Sequence, residues 1–282
     1  MNVGARPRGN EAWITVRVEG SQNREGLIGA LFVAGSTGVH EDGHAIVTHF
    51  PPGTSVSGLK DAIAVADPGA EASFGEAPAA DWSRWRAAVG SHQLGALTIS
   101  PPWLAPATPA AMTVIIEPAM AFGTGEHPTT RGVIRLMQGI PDFAGLVVDL
   151  GAGSAVLSIA AAKLGAVRVA AVEIDPDAIG NAEANIAAND VGRIVHIIHG
   201  DAELILPLLA PVGLVLANII SSVLLGLLPA IGSSVRRGGH VILSGILTDE
   251  RSAMLQAVDT ADWTLRREDV EEAWWSVLFE RR

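Results

Sequence analysis

The chain has 282 residues, which is enough for one large domain or two smaller ones. Its net charge of −11 argues against a protein that holds duplex nucleic acid by its phosphates, and the absence of cysteine excludes disulfides, thiolate zinc sites and a cysteine nucleophile. No apolar run is long enough to cross a membrane, and the start lacks the pattern of a signal peptide, so we expect a cytoplasmic protein with no membrane partner.

Residues 12–100 have the pattern of a small α/β unit. Apolar and polar residues alternate in its first stretch, which is typical of a half-buried strand. The dipeptide Asp42-Gly43 is a favoured hairpin turn, and Ser55 is a suitable cap for a helix. The predicted elements are a strand at 13–19, a helix at 25–34, a hairpin of 38–40 and 45–49, a helix at 55–66 and a strand at 70–74.

The segment 81–109 is rich in tryptophan and proline, which predicts a connector. Its tryptophans either pack the connector onto the domains or form an aromatic patch that faces a substrate. We therefore expect an amino-terminal domain over 1–80, a linker over 81–110 and a larger domain over 111–282.

From residue 112 onwards, predicted strands alternate with predicted helices, which indicates a parallel sheet with both faces covered. Two final strands, joined by an acidic turn at 269–272, would insert one antiparallel strand, the seven-stranded pattern of methyltransferases. The predicted strands are 112–116, 147–150, 168–173, 194–199, 213–217, 239–244, 262–268 and 273–280, and the predicted helices are 128–139, 155–164, 176–189, 221–232 and 248–258.

The most informative motif is a glycine turn directly after the strand at 147–150. Gly151 and Gly153 let the backbone approach a ligand, and the helix start behind them offers unpaired N–H groups. Glu173 ends the next strand, 22 positions after Gly151, which is the usual distance for a carboxylate that accepts ribose hydroxyls. These residues predict a site for a nucleoside-containing cofactor. The alternatives are a purely structural turn and a solvated acid.

Two further features indicate the reacting groups. Asn218 follows the strand at 213–217, where α/β sheets place reactive groups. The run from Asn218 to Ile220 resembles the Asn-Pro-Pro turn of amino-group methyltransferases, which implies an amide carbonyl that accepts a hydrogen bond from an attacking amine. The alternative for Asn218 is a helix cap or turn former. The loop 122–130 contains two glycines and precedes a helix, so it is suited to fold over a cofactor. His127 in this loop invites a general-base role, but a histidine bonded to backbone is the simpler interpretation. The histidines lack the spacing of a metal site, so we expect no metal.

Together these motifs resemble the PrmA family of bacterial methyltransferases, which modify ribosomal protein eleven of the large subunit. The resemblance covers most of the chain. It implies S-adenosylmethionine as cofactor, a class I, Rossmann-like, seven-stranded methyltransferase domain and a smaller amino-terminal α/β domain that recognises the ribosomal protein. The site residues that it implies are a catalytic Asn218 and cofactor contacts at Phe122, Thr130, Asp149, Gly151, Gly153, Glu173 and Asn218.

Two residues depart from the pattern of that family. Glu126 replaces the usual threonine before His127, which would add negative charge near the cationic sulfur of the cofactor. Ala155 replaces the third glycine of the turn and would crowd the methionine portion. Both departures predict weaker cofactor binding rather than a loss of activity.

We therefore expect a protein methyltransferase that modifies amino groups of large-subunit ribosomal protein eleven, on lysine side chains or the α-amine. It would act as a monomer and without nucleic-acid specificity. The alternatives are a methyltransferase for a lysine of another protein, a non-catalytic ribosome-associated module, and a nicotinamide-dependent dehydrogenase. The last of these leaves Asn218 and the loop 122–130 unexplained.

Overall fold

The computed structural model describes residues 13–36, 39–42, 45–51, 53–77, 89–106, 110–118, 123, 125–258 and 262–282. The chain divides into two compact units, Met1–Ala88 and Val89–Arg282.

The first unit is a four-stranded antiparallel sheet with two helices on one face. Its sheet has the order β2-β3-β1-β4. Val16 and Val18 alternate inward along β1 and meet the apolar faces of both helices in one buried cluster, as expected for a two-layer unit. Ser55 caps the second helix by accepting from the N–H of Gly58, as predicted. The elements are β1 (Trp13–Glu19), α1 (Arg24–Val33), β2 (Val39–Asp42), β3 (Ala45–Phe50), α2 (Val56–Ala66) and β4 (Glu71–Ala77).

The second unit alternates strands and helices over most of its length, so the predicted α/β class is confirmed. Its elements are β5 (His92–Leu94), β6 (Leu97–Ser100), β7 (Thr113–Ile115), α3 (Pro128–Met137), β8 (Val147–Leu150), α4 (Val156–Lys163), β9 (Val169–Glu173), α5 (Pro176–Ala188), β10 (Val195–His199), α6 (Ala202–Leu209), β11 (Val212–Asn218), α7 (Ser221–Ser234), β12 (Val235–Leu247), α8 (Arg251–Ala257), β13 (Trp263–Glu271) and β14 (Trp274–Arg281).

Among the described residues, seven strands form one large sheet in the order β10-β9-β8-β11-β12-β14-β13. The first five of these run parallel, whereas β14 runs antiparallel to both of its neighbours. Two apolar clusters cover the two faces of the sheet. The chain proceeds outward from β8 to β10 and then returns to β11 on the other side of β8. This reversal is the switch point at which open α/β sheets bind ligands, and the crevice lies at the carboxyl ends of the strands.

A separate small sheet, in the order β5-β6-β7, corrects the prediction of a linker over 81–110. Leu94, Leu97 and Ile99 are buried in the same apolar cluster as the helices of the second unit. Residues 89–106 therefore belong to the second unit, while Trp82 and Trp85 lie outside the described residues. β5 and β6 have only three and four residues. Such short strands do not show enough alternation of apolar and polar residues to be recognised in a sequence.

Two other elements differ from the prediction. The helix α6 was not predicted, because its apolar run contains Pro207, which normally argues against a helix interior. The acidic segment predicted as a turn belongs to β13, and the turn is confined to Glu272 and Ala273. Asp269 and Glu271 are compatible with a strand because arginines of α3 pair with them.

In the part of the chain that the structure describes, no helix combines the length and apolarity needed to span a membrane.

Candidate active site

The glycine turn joins β8 to α4 and is built so that backbone, not side chain, faces the crevice. Gly151 has φ +68° and Gly153 has φ +52°, both in the left-handed region that favours glycine. The N–H groups of Gly151 and Ala152 both donate to the carbonyl of Val172 on β9, which ties the turn to the neighbouring strand. A Cβ atom at Gly151 would come within 3.1 Å of the Ile219 side chain. Glycine therefore keeps this part of the crevice open.

Glu173 ends β9, and its carboxylate is held by backbone N–H groups. Oε1 accepts from Ile174 and Asp175 at 2.8 and 2.9 Å, and Oε2 accepts from Gly153 at 2.7 Å. The carboxylate thus couples the end of β9 to the glycine turn. Each carboxylate oxygen offers two lone pairs, so Oε2 keeps capacity for a further donor.

Asn218 ends β11 and presents a buried acceptor with no partner among the described residues. Its Nδ2 donates weakly to the Thr130 hydroxyl at 3.4 Å, while Oδ1 makes no hydrogen bond. A buried carbonyl oxygen without a donor costs free energy in the unliganded protein, commonly about 1–3 kcal/mol. Such a group indicates a position where a ligand supplies the missing N–H or O–H.

The start of α3 forms a further part of the site. His127 caps the helix, with Nδ1 2.7 Å from the Thr129 hydroxyl. Its ring packs edge-on against Trp274, with the ring centroids 4.8 Å apart. Burial, and then the nearby positive charge of Arg131, lower the pKa of His127, while Glu272 acts in the opposite direction. This geometry agrees with the simpler interpretation of His127 as a histidine bonded to its own helix start.

These groups line one cavity of about 480 Å³, a size suited to a small-molecule ligand. Four of the predicted site residues meet there, namely Gly151, Gly153, Glu173 and Asn218. A second cavity of about 420 Å³ near α7 and α8 contains none of the predicted residues. The lining residues of the first cavity are His127, Thr129, Gly151, Gly153, Glu173, Asp175, Ala178, Asn218, Ile219, Ile220, Gly245 and Trp274.

Two predicted cofactor residues lie beneath the cavity instead of lining it. Thr130 is fully buried, and its hydroxyl contacts Asn218. Asp149 is also buried; its Oδ2 accepts from the Ser158 hydroxyl at 2.7 Å, and burial raises the pKa of this carboxyl to about 7. Thr130 thereby supports Asn218, which does line the cavity. A third, Phe122, falls outside the described residues.

The two departures from the family pattern do not reach the cavity either. One Glu126 carboxylate oxygen accepts from the N–H of Gly90 and lies 2.8 Å from His92 Nε2. Ala155 takes the left-handed conformation expected of the missing glycine, with φ +65°, but its methyl group is fully buried in the apolar core. Neither side chain is part of the cavity wall.

The sequence did not point to Trp274 or Gly245, and of the two adjacent threonines at the end of the loop 122–130 the family resemblance implied Thr130 as the cofactor contact, whereas Thr129 lines the cavity. Gly245 has φ +81°, and a Cβ atom there would come within 2.4 Å of the Ile219 carbonyl, so this glycine permits the turn after β11 to approach β12. The only available signal for Trp274 was an aromatic residue next to an otherwise polar hairpin turn.

A family model described as ribosomal protein L11 methyltransferase (PrmA) matches residues 18–282 of this chain. The chain belongs to the ribosomal protein L11 methyltransferase family. This membership confirms the predicted family, with methyl transfer as the reaction and S-adenosylmethionine as the cofactor, and it excludes the dehydrogenase.

Individual relatives agree with this assignment. A ribosomal protein L11 methyltransferase of Bacillus cytotoxicus is 31% identical over 273 residues, which cover 92% of this chain and 86% of that protein. Another, from Dechloromonas aromatica, is 41% identical over 179 residues, or 63% of this chain and 58% of that protein. The crystal structure of ribosomal protein L11 methylase from Lactobacillus delbrueckii subsp. bulgaricus matches with a TM-score of 0.60 and 29% identity, covering 69% of this chain and 100% of that one.

The cavity of this L11 methyltransferase family member fits S-adenosylmethionine. Glu173 retains acceptor capacity for ribose hydroxyls, and the glycine turn leaves space that a Cβ atom at Gly151 would fill. Asn218 lines the same cavity, and its buried Oδ1 has no hydrogen-bond partner among the described residues. The described residues contain no group of three or more side chains suited to hold a metal ion.

Proposed function

We propose that this protein transfers methyl groups from S-adenosylmethionine to amino groups of ribosomal protein L11, with lysine side chains as the main acceptors. The observation that carries this proposal is that Asn218 lines the same cavity as Glu173 and has a buried Oδ1 without a hydrogen-bond partner among the described residues. One group is suited to hold the ribose of the cofactor, and the other is suited to hold an amine.

To bind the cofactor, the cavity needs enough space and a group that accepts hydrogen bonds from the ribose hydroxyls. In our proposal Glu173 accepts the ribose hydroxyls through its free lone pairs, and the turn at Gly151 and Gly153 lies against the ligand. The cofactor supplies a methyl group on a positively charged sulfur, which is electrophilic without help from an acid.

The acceptor side must select an uncharged amine. A lysine side chain has a reference pKa of about 10.4, so only a small fraction is neutral at pH 7. Apolar walls such as Ile219, Ile220 and Trp274 disfavour the charged form by desolvation. Oδ1 of Asn218 then accepts an N–H of the amine and directs its lone pair into the cavity. The Thr130 hydroxyl holds the other end of the Asn218 amide.

The cavity residues all belong to the second unit, so we assign recognition of the protein substrate to Met1–Ala88. We propose that the enzyme acts as a monomer. Its net charge of −11 is unsuited to nucleic acid but suits a basic protein. We place the enzyme in the cytoplasm, where it would meet ribosomal proteins.

A labelling experiment tests this proposal. The full chain is incubated with isotopically labelled S-adenosylmethionine and the complete set of bacterial ribosomal proteins, and mass spectrometry then identifies the labelled peptides. We expect label on lysine residues of L11. Label on lysines of another protein would contradict the assignment of L11 as the substrate. Cofactor binding in calorimetry without any label would contradict catalysis and favour a binding module.

A further inference from the structure

Arg131, in the first turns of α3, connects two segments that each lead into the cavity. Its Nη1 donates to the backbone carbonyl of Glu126 in the loop before the helix. Its Nε donates to Oε1 of Glu271 at 2.9 Å, and Nη2 donates to the same oxygen. Glu271 ends β13 in the carboxy-terminal hairpin. The guanidinium is largely buried, with 14% of the side chain exposed.

Both partners of Arg131 lie close in sequence to cavity residues. Glu126 directly precedes His127, and Glu271 lies three residues before Trp274. His127 and Trp274 line the cavity and pack edge-on against each other. We call these two rings the aromatic wall. One guanidinium therefore holds the chain on both sides of the wall.

Arg135, one turn further along α3, makes a comparable bond without reaching the loop. It binds the other oxygen of Glu271 at 2.7 Å and Asp269 at 2.8 Å. Arg135 thus joins α3 to the hairpin only, whereas Arg131 joins α3, the hairpin and the loop. The two arginines share a helix, a partner and a type of bond, so Arg135 provides a matched control.

We propose that Arg131 is a positioning residue for methyl transfer: it fixes the aromatic wall against which the acceptor amine meets Asn218. This inference rests on the proposed function. The wall would exclude water from the amine and limit the directions from which the amine approaches. A guanidinium can do this because its planar fork donates in several fixed directions at once, whereas a lysine ammonium offers one point charge on a flexible stem.

The test compares Arg131→Lys with Arg135→Lys in the full chain. Three quantities are measured: the rate of a single methyl transfer to L11 with saturating cofactor, the Kd of S-adenosylmethionine by calorimetry, and the thermal midpoint. A fourth measurement, the NMR resonances of the His127 ring, reports its position against Trp274 because of the ring current of that indole. These resonances are assigned by their loss in His127→Gln.

We expect Arg131→Lys to shift the His127 resonances and to lower the transfer rate by about ten- to a hundredfold, since a displacement of about 1 Å can cost a hundredfold. The Kd of the cofactor should stay within about threefold, because Glu173 and the glycine turn are untouched. Arg135→Lys should leave the His127 resonances and the transfer rate nearly unchanged, even if it lowers the thermal midpoint as much as Arg131→Lys does.

Three results would overturn the inference. They are unchanged His127 resonances in Arg131→Lys, shifted resonances with an unchanged rate, and equal loss of rate in the two variants. If the unmodified protein methylates no acceptor, the proposed function fails. The His127 resonances then still test whether Arg131 fixes the position of the ring, because they depend on neither substrate nor turnover.

Discussion

At the scale of single residues, the unpartnered oxygen of Asn218 is the feature on which the chemistry depends. A side-chain acceptor that stays unbonded in the folded chain contributes only when a ligand donates to it. Asn218→Ala should therefore lower the rate of a single methyl transfer by about a hundredfold, because the amine is no longer oriented. The Kd of S-adenosylmethionine should change by less than about threefold.

Thr130 offers an internal control for this prediction. Thr130→Val removes the hydroxyl that accepts from Nδ2 of Asn218, so the amide is held less firmly and the loss of rate should be smaller. Thr130→Ser keeps the hydroxyl and should recover most of the activity. If single-turnover assays give Asn218→Ala a methyl-transfer rate within twofold of that of the unmodified protein, the proposed role of Asn218 is contradicted.

The carboxylate of Glu173 should act on binding, not on turnover. Glu173→Gln replaces one acceptor oxygen by an NH2 group, which cannot accept from the backbone N–H groups or from a ribose hydroxyl. We expect the Kd of S-adenosylmethionine to rise by at least about tenfold, since hydrogen bonds to charged groups contribute about 1.5–3 kcal/mol. Glu126→Gln is the matched control, because that carboxylate faces Gly90 and His92. Calorimetry that shows equal losses for the two variants would count against the ribose contact.

Asp149 should make the stability of the protein depend on pH. Burial raises the pKa of this carboxyl to about 7 from its ordinary value near 3.8. Between these values the folded state binds more protons than the unfolded state, so the contribution of Asp149 to stability falls as the pH rises. Asp149→Asn removes this titration. The free energy of unfolding of the variant, relative to the unmodified protein, should rise by about 1 kcal/mol or more from pH 4 to pH 7.

Denaturant unfolding at several pH values measures this difference. The exposed Asp142, replaced by asparagine in the same way, controls for the loss of one negative charge. A difference between Asp149→Asn and the unmodified protein that does not change with pH would show that the buried carboxyl does not take up a proton.

At the scale of elements, the position of α3 on the sheet brings its first turn to the cavity. The Ser244 hydroxyl donates to the carbonyl of Thr129 and lies 2.6 Å from the Ser276 hydroxyl on β14. Gly132 permits this close packing, because a Cβ atom there would come within 2.5 Å of Oγ of Ser276. Both serines are buried and bonded, so they cannot easily move away.

Gly132→Ala should therefore destabilise the protein by about 1–3 kcal/mol, as overpacking does. Gly180→Ala is the matched control, because Gly180 lies on an exposed face of α5, where an added Cβ atom would meet no neighbouring residue within 4 Å. That substitution should stabilise the protein by about 0.5–1 kcal/mol, since alanine favours a helix over glycine. Unfolding in urea compares the two variants. A stabilising Gly132→Ala would show that α3 can move off the sheet without cost.

At the scale of the whole molecule, the chain divides into two compact units, and the described residues that line the cavity belong to the second. Every lining residue and both apolar clusters of the large sheet lie within Val89–Arg282. The fragment 89–282 should therefore bind S-adenosylmethionine with a Kd within about threefold of that of the full chain. It should lose most of its activity on L11, because the first unit is missing.

Calorimetry and the labelling assay measure these two properties on the same preparation. A fragment that is folded by circular dichroism but does not bind the cofactor would contradict the assignment of the cavity to the second unit alone. A fragment that methylates L11 at the full rate would contradict the recognition role of Met1–Ala88.

The sequence alone determined which backbone positions form the crevice. Parallel strands end at the same edge of a sheet, so residues that follow three such strands must lie near one another. Gly151, Glu173 and Asn218 therefore meet in one cavity, as their positions after predicted strands indicated. The family could also be recognised, because the loop 122–130 and the Asn218 turn are local patterns.

Only the tertiary structure decided which side chains reach the cavity. Whether Thr129 or Thr130 faces it depends on the rotation of α3 on the sheet, and Asp149 is buried and bonded to Ser158 of α4. Trp274 and Glu271, the partner of Arg131 in the hairpin, come from a segment more than 130 residues away from Arg131 along the chain. Side-chain direction and burial are set by packing between distant segments, and no local pattern of residues contains that information.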